Sequence, residues 1–332
     1  MKYQALLLVI AILFSTFMLR ALGERDDLLN SNVITETQLH TSLPLYSATS
    51  SPRIESFTPI HSDGSLNVSL QKPAVSSQDV SAVEKPSVSQ NTSSQCSVTA
   101  SIFLVRDVTN GKNIISQDIH RRWPIASISK LMTVLIAYHY MDSKEVVSIT
   151  KAMRDSAQGY ASLEVGASYS VNDLIRAALV VSSNDAAYAL SETFGYDAFI
   201  AKMNEEAKII GMTDTSFFEP SGLSYLNQST ASDISLLLNY LYKSAPELLA
   251  TTRKQTVLLY DYAHRKNVSL SNIDYFAGTE GFIGGKTGFI NESGGNLATL
   301  FNEGSSVWAV EVFGSSDRFG DIQKLLKCAH NL

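Results

Sequence analysis

The strand-forming segments of this chain lie on both sides of a long helical stretch, and this order limits the possible folds. Thr99–Val105 and Asn113–Ser116 are rich in β-branched residues and flank the turn dipeptide Asn110-Gly111, which predicts a hairpin. Four further strand-like segments come late in the chain: Thr256–Tyr260, Phe282–Ile290, Asn296–Asn302 and Ser306–Phe313. A hairpin first and a meander last predict one antiparallel sheet whose first strands return beside its last ones.

The residues between these strands carry helix signals. Ser170, followed three residues later by Asp173, resembles a capping box and predicts a helix over Val171–Val181. Other amphipathic segments predict helices over Asp185–Phe194, Asp197–Ile210, Thr230–Lys243 and Asp317–His330. The expected fold class is therefore α+β, with a central antiparallel sheet flanked by helices and a helical lobe.

Ser127 and Lys130 stand three residues apart, directly before the apolar run Leu131–Tyr140. If the run is helical, the two side chains share one face, and a helix that is apolar nearly all round is buried. Burial disfavours a lysine ammonium, and a neutral lysine can take the proton of a serine hydroxyl. The pattern predicts an acyl-transfer site, although the same spacing is also typical of a capped helix with a surface lysine.

Two further motifs follow in the chain. Ser182-Ser183-Asn184 lies between two predicted helices, and Lys286-Thr287-Gly288 lies on a predicted strand. Each motif is common by itself, and a Lys-Thr-Gly on a strand usually marks a solvated edge. In the order Ser-x-x-Lys, Ser-x-Asn, Lys-Thr-Gly, however, the three resemble the signature of penicillin-binding proteins and class A β-lactamases.

Over residues 98–332 the chain is similar to the low-molecular-mass penicillin-binding proteins, the serine D-alanyl-D-alanine carboxypeptidases. The stretches that carry this resemblance include Pro124–Thr133, Val181–Ala187, Pro220–Leu223 and Gly285–Gly288. The resemblance implies a β-lactamase/transpeptidase-like fold. It also implies that Ser127 is the nucleophile, that Lys130 is the general base and that Ser182 relays a proton to the leaving amine.

The same resemblance implies roles for residues that bind substrate. Asn184 would hydrogen-bond the substrate backbone and position Lys130, and Lys286 and Thr287 would hold the substrate's terminal carboxylate. Gly288 would leave room for a peptide beside the strand, and the backbone N–H of Phe289 would complete an oxyanion hole with that of Ser127. Ile290, Ser293 and Gly285 depart from the family pattern, and these departures bear on substrate preference.

The implied function is removal of the terminal D-Ala from peptidoglycan stem peptides, without a cofactor and with β-lactam antibiotics as covalent inhibitors. A D,D-endopeptidase that cuts peptide cross-links carries the same signature. A β-lactamase also needs a carboxylate to activate water, for which Glu219 is a candidate. A non-catalytic sensor of cell-wall peptide or penicillin is the remaining alternative. The six histidines show no metal-binding spacing, so no metal site is expected.

The front of the chain differs from the rest in composition. Residues 1–23 contain the apolar stretch 4–19 after Lys2, which predicts either a cleaved signal peptide or a membrane anchor. Residues 24–95 hold five of the eight prolines and predict a disordered Ser/Pro-rich linker. Residues 96–332 would then form the penicillin-binding peptidase domain, exported and either tethered to the membrane or secreted to the cell wall.

The net charge and the two cysteines bear on the possible partners and on disulfide formation. The net charge of −6, without a basic cluster, argues against a nucleic-acid partner. Cys96 and Cys328 flank the predicted domain, and export permits either a disulfide between them or two free thiols.

Overall fold

A computed structural model describes residues 96–157 and 163–332 of the chain. The predicted signal peptide or anchor at residues 1–23 and the predicted linker at residues 24–95 lie outside these ranges. Among the described helices, none combines the length and the apolar character that crossing a membrane requires.

The elements are numbered in chain order. The strands are β1 (Ile102–Asp107), β2 (Asn113–Gln117), β3 (Trp123–Pro124), β4 (Val146–Ser148), β5 (Ser168–Ser170), β6 (Gln228–Ser229), β7 (Thr256–Asp261), β8 (Lys266–Ser271), β9 (Phe282–Ile290), β10 (Gly294–Glu303) and β11 (Ser306–Ser315). The helices are α1 (Lys130–Tyr140), α2 (Lys151–Ala157), α3 (Val171–Val180), α4 (Asn184–Phe194), α5 (Tyr196–Ile210), α6 (Ala231–Ser244), α7 (Pro246–Thr252) and α8 (Arg318–Ala329). A 3-10 turn, Ala126–Ser129, directly precedes α1.

The central sheet is antiparallel and has the strand order β2-β1-β11-β10-β9. The first strand therefore returns beside the last one, as the sequence predicts, with Ile102 opposite Phe313. β9 lies at one edge of this sheet. The backbone on the outer side of β9 is consequently available for pairing with a peptide.

β7 does not join this sheet, which corrects the grouping of Thr256–Tyr260 with the final meander. Among the strands that the structure describes, it pairs with β8 alone, in a separate two-stranded sheet. Alternate residues of β7 are buried, with Val257 and Leu259 in the core. β8 lacks a strand signal in the sequence because most of its residues are polar or exposed.

The sheet is covered on both faces. The helical lobe covers one face, and α1 lies inside this lobe with every residue from Lys130 to Ala137 buried. The predicted burial of the run Leu131–Tyr140 therefore holds as far as Ala137, whereas residues 138–140 at the end of the helix are exposed. α8 covers the opposite face, where Ile322 and Leu325 pack with Val310 and other strand residues.

A disulfide joins Cys96 to Cys328 across 232 residues, which decides between the two alternatives left by the sequence.

We expect the double variant Cys96→Ser/Cys328→Ser to lower the free energy of unfolding by about 2–5 kcal/mol, because a cross-link that closes a long loop restricts the unfolded chain. Urea unfolding of the oxidised wild type and of the variant measures this change. The rate of penicillin labelling should stay within about twofold of wild type, because neither cysteine contacts the Ser127 turn; unchanged unfolding midpoints would contradict the prediction.

Candidate active site

Ser127 lies in the 3-10 turn before α1 rather than in the first turn of the helix itself. The preceding residue, Ala126, has φ of 50°, a left-handed conformation that is uncommon for a residue with a Cβ. A Cβ placed on Gly222 would lie 1.9 Å from the Ala126 oxygen, and one on Gly288 would lie 3.2 Å from the Ser127 nitrogen. The turn is thus held between a loop and β9, each of which approaches it at a glycine.

We expect Gly222→Ala to lower the rate of penicillin acylation about 10²-fold, the scale of a 1 Å misplacement of a reacting group. The added methyl would overlap the Ala126 carbonyl, and Gly222 also has φ of +84°. Gly304→Ala is the matched control, since Gly304 has φ of +65° with open space around the added Cβ. Stopped-flow acylation measures both variants, and equal losses in the two would contradict a role for the contact with the turn.

Lys130 is fully buried, and its amine contacts three oxygen atoms. Nζ lies 2.9 Å from Ser127 Oγ, 2.7 Å from Asn184 Oδ1 and 2.6 Å from the Ser221 carbonyl oxygen. The amide and carbonyl oxygens can only accept hydrogen bonds, so they take two N–H groups. In the neutral amine the lone pair is then left for the hydroxyl proton of Ser127.

The protonation of Lys130 follows from its surroundings. Burial lowers the pKa of Lys130 to about 7, while the Glu219 carboxylate acts in the opposite direction. A substantial fraction of the amine is therefore neutral near neutral pH, as a general base requires.

Ser182 and Lys286 form a second serine–lysine pair. Lys286 Nζ lies 2.9 Å from Ser182 Oγ and also donates to the Thr287 carbonyl oxygen at 2.9 Å. Burial lowers the pKa of Lys286 well below its usual value, the positive charge of Lys130 adds to this effect and Asp274 opposes it. The charge of Lys130 therefore acts on Lys286, which links the two serine–lysine pairs electrostatically.

The structure brings the predicted site residues together from three parts of the chain. Asn184, at the start of α4, connects two of these parts: it accepts from Lys130 and donates to the Ala157 carbonyl oxygen at 2.9 Å. The β9 residues Lys286 and Thr287 are buried, whereas the Phe289 side chain is 62% exposed. Gly288 contacts the Ser127 turn, as described above.

The departures from the family pattern have local explanations. A Cβ on Gly285 would lie 2.5 Å from the Ala298 oxygen of β10, so the larger side chain usual in the family does not fit there. The Gly285 N–H donates to Thr252 Oγ1 of α7 at 3.0 Å, which holds the strand against this helix. Ile290 donates its N–H to Ser293 Oγ at 3.2 Å within the turn that links β9 to β10.

Two charged residues lie near Lys286 that the sequence motifs do not identify as part of the site. Arg318, the first residue of α8, donates from a guanidinium nitrogen to the Gly288 carbonyl oxygen at 2.9 Å. Asp274 is buried and accepts from the Phe276 N–H at 3.0 Å, and burial raises the pKa of its carboxyl. Neither residue belongs to a recognisable motif, and only the packing of α8 and of the segment after β8 brings them near β9.

Glu219 is occupied by the loop that holds Gly222. Its carboxylate accepts from the backbone N–H groups of Ser221 and Gly222, from the Ser221 hydroxyl and from Asn227 Nδ2. A carboxylate with this many donors folds the loop and supplies a counter-charge for Lys130. These contacts disfavour Glu219 as the base that activates water in a β-lactamase.

Three potential metal ligands approach one another near β7 and β8, and the middle one, Asp261, is buried. Glu164, Asp261 and His264 each bring one ligand atom within 4.8 Å of the others. His264 Nδ1 lies 2.6 Å from Asp261 Oδ2, and Lys266 Nζ lies 2.8 Å from Glu164 Oε2. A histidine–aspartate hydrogen bond and an ion pair thus account for this cluster.

Comparison with known proteins agrees with the site geometry. The peptidase S11 family, described as D-alanyl-D-alanine carboxypeptidase, matches residues 89–316. A D-alanyl-D-alanine endopeptidase of Escherichia coli (strain K12) is 31% identical over 244 residues, which cover 70% of this chain and 78% of the relative.

Two solved structures have the same fold. Penicillin-binding protein D2 from Listeria monocytogenes, in its ampicillin-bound form, has a TM-score of 0.63 and 30% identity and covers 70% of this chain and 98% of that one. A D-alanyl-D-alanine carboxypeptidase from Mycobacterium tuberculosis H37Rv has a TM-score of 0.65 and 25% identity, with coverage of 71% and 92%. With the family match spanning more than half of its length, this chain belongs to the peptidase S11 family of serine D-alanyl-D-alanine carboxypeptidases.

Proposed function

We propose that this protein is a serine D,D-carboxypeptidase that removes the terminal D-Ala from peptidoglycan stem peptides and that β-lactams acylate the same serine. The observation that carries the proposal is the position of Lys130 Nζ, 2.9 Å from Ser127 Oγ, with its two N–H groups directed to Asn184 and Ser221. The ampicillin-bound Listeria relative supports β-lactams as ligands of this fold.

Acylation begins when neutral Lys130 takes the Ser127 hydroxyl proton. The Ser127 oxygen then forms a bond with the carbonyl carbon of the penultimate D-Ala, and the C–N bond to the terminal D-Ala breaks. The developing oxyanion accepts hydrogen bonds from the N–H groups of Ser127 and Phe289, a contribution of about 10²–10³ in rate per donor.

Ser182 supplies the proton that the leaving amine requires. Ser182 Oγ lies 2.9 Å from Lys286 Nζ. The proton that Ser182 gives to the leaving amine is therefore replaced from the two lysines, Lys286 and Lys130. Water then attacks the ester, the ester C–O bond breaks, and the products are a shortened peptide carboxylate and free Ser127. The proton released from water returns through Lys130.

The terminal carboxylate of the substrate is assigned to Lys286 and Thr287, with Arg318 as an additional positive charge. Arg318 is positioned for this by its bond to the Gly288 carbonyl oxygen. A fixed positive charge at this end of β9 favours a substrate with a carboxylate at this position and also accommodates the carboxylate of a penicillin.

A D,D-endopeptidase acting on cross-links is the second candidate. The observation that favours it is the 31% identity to the Escherichia coli protein that is named as an endopeptidase. The nucleophile, the base and the carboxylate contacts are the same in both reactions, and the two differ only in the size of the leaving group.

Incubation of the purified protein with a stem pentapeptide tests the proposal, with D-Ala release followed by mass spectrometry. A penicillin-sensitive loss of one D-Ala is expected, and Ser127→Ala is the control. A non-catalytic sensor would take up one penicillin per chain and release no D-Ala, and a β-lactamase would instead turn penicillin over rapidly.

The substrate places the enzyme outside the cytoplasm. We propose that residues 1–23 direct its export, as a cleaved signal or a membrane anchor, and that residues 24–95 link them to the catalytic domain at 96–332. Fractionation of cells that express the full chain, with mass analysis of its N-terminus, distinguishes the two roles of residues 1–23.

A further inference from the structure

The carboxyl group of Asp274 has one oxygen that is buried without a hydrogen-bond partner. The residue is 8% exposed, and its Oδ1 accepts from the Phe276 N–H at 3.0 Å. Within residues 96–157 and 163–332, no group donates to its Oδ2. Buried polar atoms in native proteins are nearly always paired, because an unpaired one loses its hydration without compensation. The turn at residues 274–276 uses one oxygen only, so it does not explain why a carboxyl group occupies this position.

The residue before Asp274 fastens this segment beside the Ser182 loop. Ile273 donates its N–H to the Val180 carbonyl oxygen at 3.1 Å, and Val180 ends α3 just before Ser182. Lys286 Nζ lies 2.9 Å from Ser182 Oγ. The backbone contact of Ile273 therefore brings Asp274 close to the Ser182–Lys286 pair.

The residue after Asp274 fastens the same segment beside Arg318. The Tyr275 ring packs against the ring of Phe319, which directly follows Arg318, with 5.8 Å between the centroids. The Arg318 guanidinium in turn lies 5.1 Å from the centroid of the Phe319 ring. The segment is thus held on both sides of Asp274, close to a catalytic lysine on one side and to the flanking arginine on the other.

The charges in this region act on one another. Burial lowers the pKa of Lys286, and the positive charge of Lys130 lowers it further. Asp274 raises the pKa of Lys286, whereas Arg318 lowers it. Conversely, burial raises the pKa of Asp274, and the charges of Lys286 and Arg318 lower it. The ammonium of Lys286 and the carboxylate of Asp274 therefore stabilise each other.

A charged Lys286 is required at two steps of the proposed reaction. An ammonium binds the substrate carboxylate through charge-assisted hydrogen bonds, and only the ammonium can return a proton to Ser182. Burial and the two neighbouring cations favour the neutral amine instead. A negative charge beside Lys286 is therefore needed in the free enzyme, before the substrate carboxylate arrives.

We propose that Asp274 is a positioning residue of the acylation site, because its carboxylate is the counter-charge that keeps Lys286 ready to bind the substrate carboxylate and to return a proton to Ser182. This inference rests on the proposed acyl-enzyme reaction. It adds to that reaction a residue outside the three motifs, which acts through Lys286 and does not touch the substrate.

Asp274→Asn removes the charge and keeps the turn, because the amide oxygen of asparagine can still accept from the Phe276 N–H. We expect the alkaline limb of kcat/KM for D-Ala release, where the rate falls as Lys286 loses its proton, to move about one unit to lower pH, the scale of the effect of a nearby opposite charge. The sign follows because loss of the negative charge lowers the pKa of Lys286, so the neutral amine accumulates at lower pH. The profile is measured between pH 6 and pH 10 with a stem pentapeptide. Penicillin acylation gives a second profile, since penicillin also carries a carboxylate.

Asp107→Asn is the matched control. Asp107 is 7% exposed and accepts from the N–H of Thr109 at 2.8 Å, in a turn of the same size as that of Asp274. It ends β1, which β11 and β10 separate from β9, so its charge is remote from Lys286. The alkaline limb of this variant should coincide with that of the wild type. Asp274→Ser is a second neutral variant in case the asparagine disturbs folding, since its hydroxyl can accept the same N–H.

The outcomes separate this inference from the proposed function. If the limb of Asp274→Asn stays in place or moves to higher pH, Asp274 does not maintain the charge of Lys286. A loss of activity that is equal at every pH would assign Asp274 a structural role only and would also overturn the inference. If the wild type is acylated by penicillin but releases no D-Ala, the carboxypeptidase function fails, and the penicillin profile decides the role of Asp274.

Discussion

Ser127→Ala is expected to abolish labelling by fluorescent penicillin while the protein remains folded. The oxygen that forms the ester is lost, and loss of a serine nucleophile costs on the order of 10⁶ in rate. The alanine fits the 3-10 turn, because Gly222 and Gly288 approach the backbone of Ala126 and Ser127 rather than the Ser127 side chain. Gel fluorescence after penicillin treatment, together with circular dichroism, measures labelling and folding separately.

Ser129→Ala is the matched control for this experiment. Ser129 lies two residues further along the same turn, is buried and accepts from Asn227 Nδ2 at 3.0 Å. Its removal disturbs the turn without touching the proposed nucleophile, so labelling should persist. Retained labelling of Ser127→Ala would show that another residue carries the ester and would overturn the assignment.

Lys130→Met is expected to lower penicillin acylation about 10²–10⁴-fold, the usual contribution of a positioned general base. In the wild type, acylation should rise about tenfold per pH unit below pH 7 and level off above it. The sign follows from the pKa of Lys130, which burial lowers to about 7, because the neutral amine that acts as the base accumulates as pH rises through this value. Stopped-flow acylation between pH 5 and pH 9 measures the profile.

The variant also identifies the group that titrates. Burial lowers the pKa of Lys286 too, so a rising limb alone does not distinguish the two lysines. The limb should disappear in Lys130→Met and persist in Lys151→Met, whose side chain is 80% exposed in the wild type. A limb that survives in Lys130→Met would transfer the role of base to another residue.

The loop around Glu219 links the fold to this chemistry. Its carboxylate holds the backbone of residues 221 and 222, which places the Ser221 carbonyl against Lys130 and Gly222 against the Ser127 turn. The same charge opposes the lowering of the Lys130 pKa. The position that suggested a β-lactamase base in the sequence therefore organises the acylation site.

Most of the regular elements could be predicted because their signals are local. The capping serine of α3, the glycines after α4 and α5 and the apolar run of α1 act within a few residues of where they stand. The sequence does not predict β8, because the residues of this strand are largely polar and exposed. β7 was assigned to the wrong sheet because strand pairing depends on long-range contacts.

The sequence by itself determined the family, most of the longer strands and helices and the three motifs, since each depends on a short stretch of residues. Only the tertiary structure decided the partners of Lys130, the pairing of Cys96 with Cys328 and the approach of Arg318 to β9. The physical reason is that hydrogen bonds and burial act over a few ångströms in space, whatever the distance along the chain. The spacing of Ser127 and Lys130 sets them side by side, but the enclosing elements make that lysine a base.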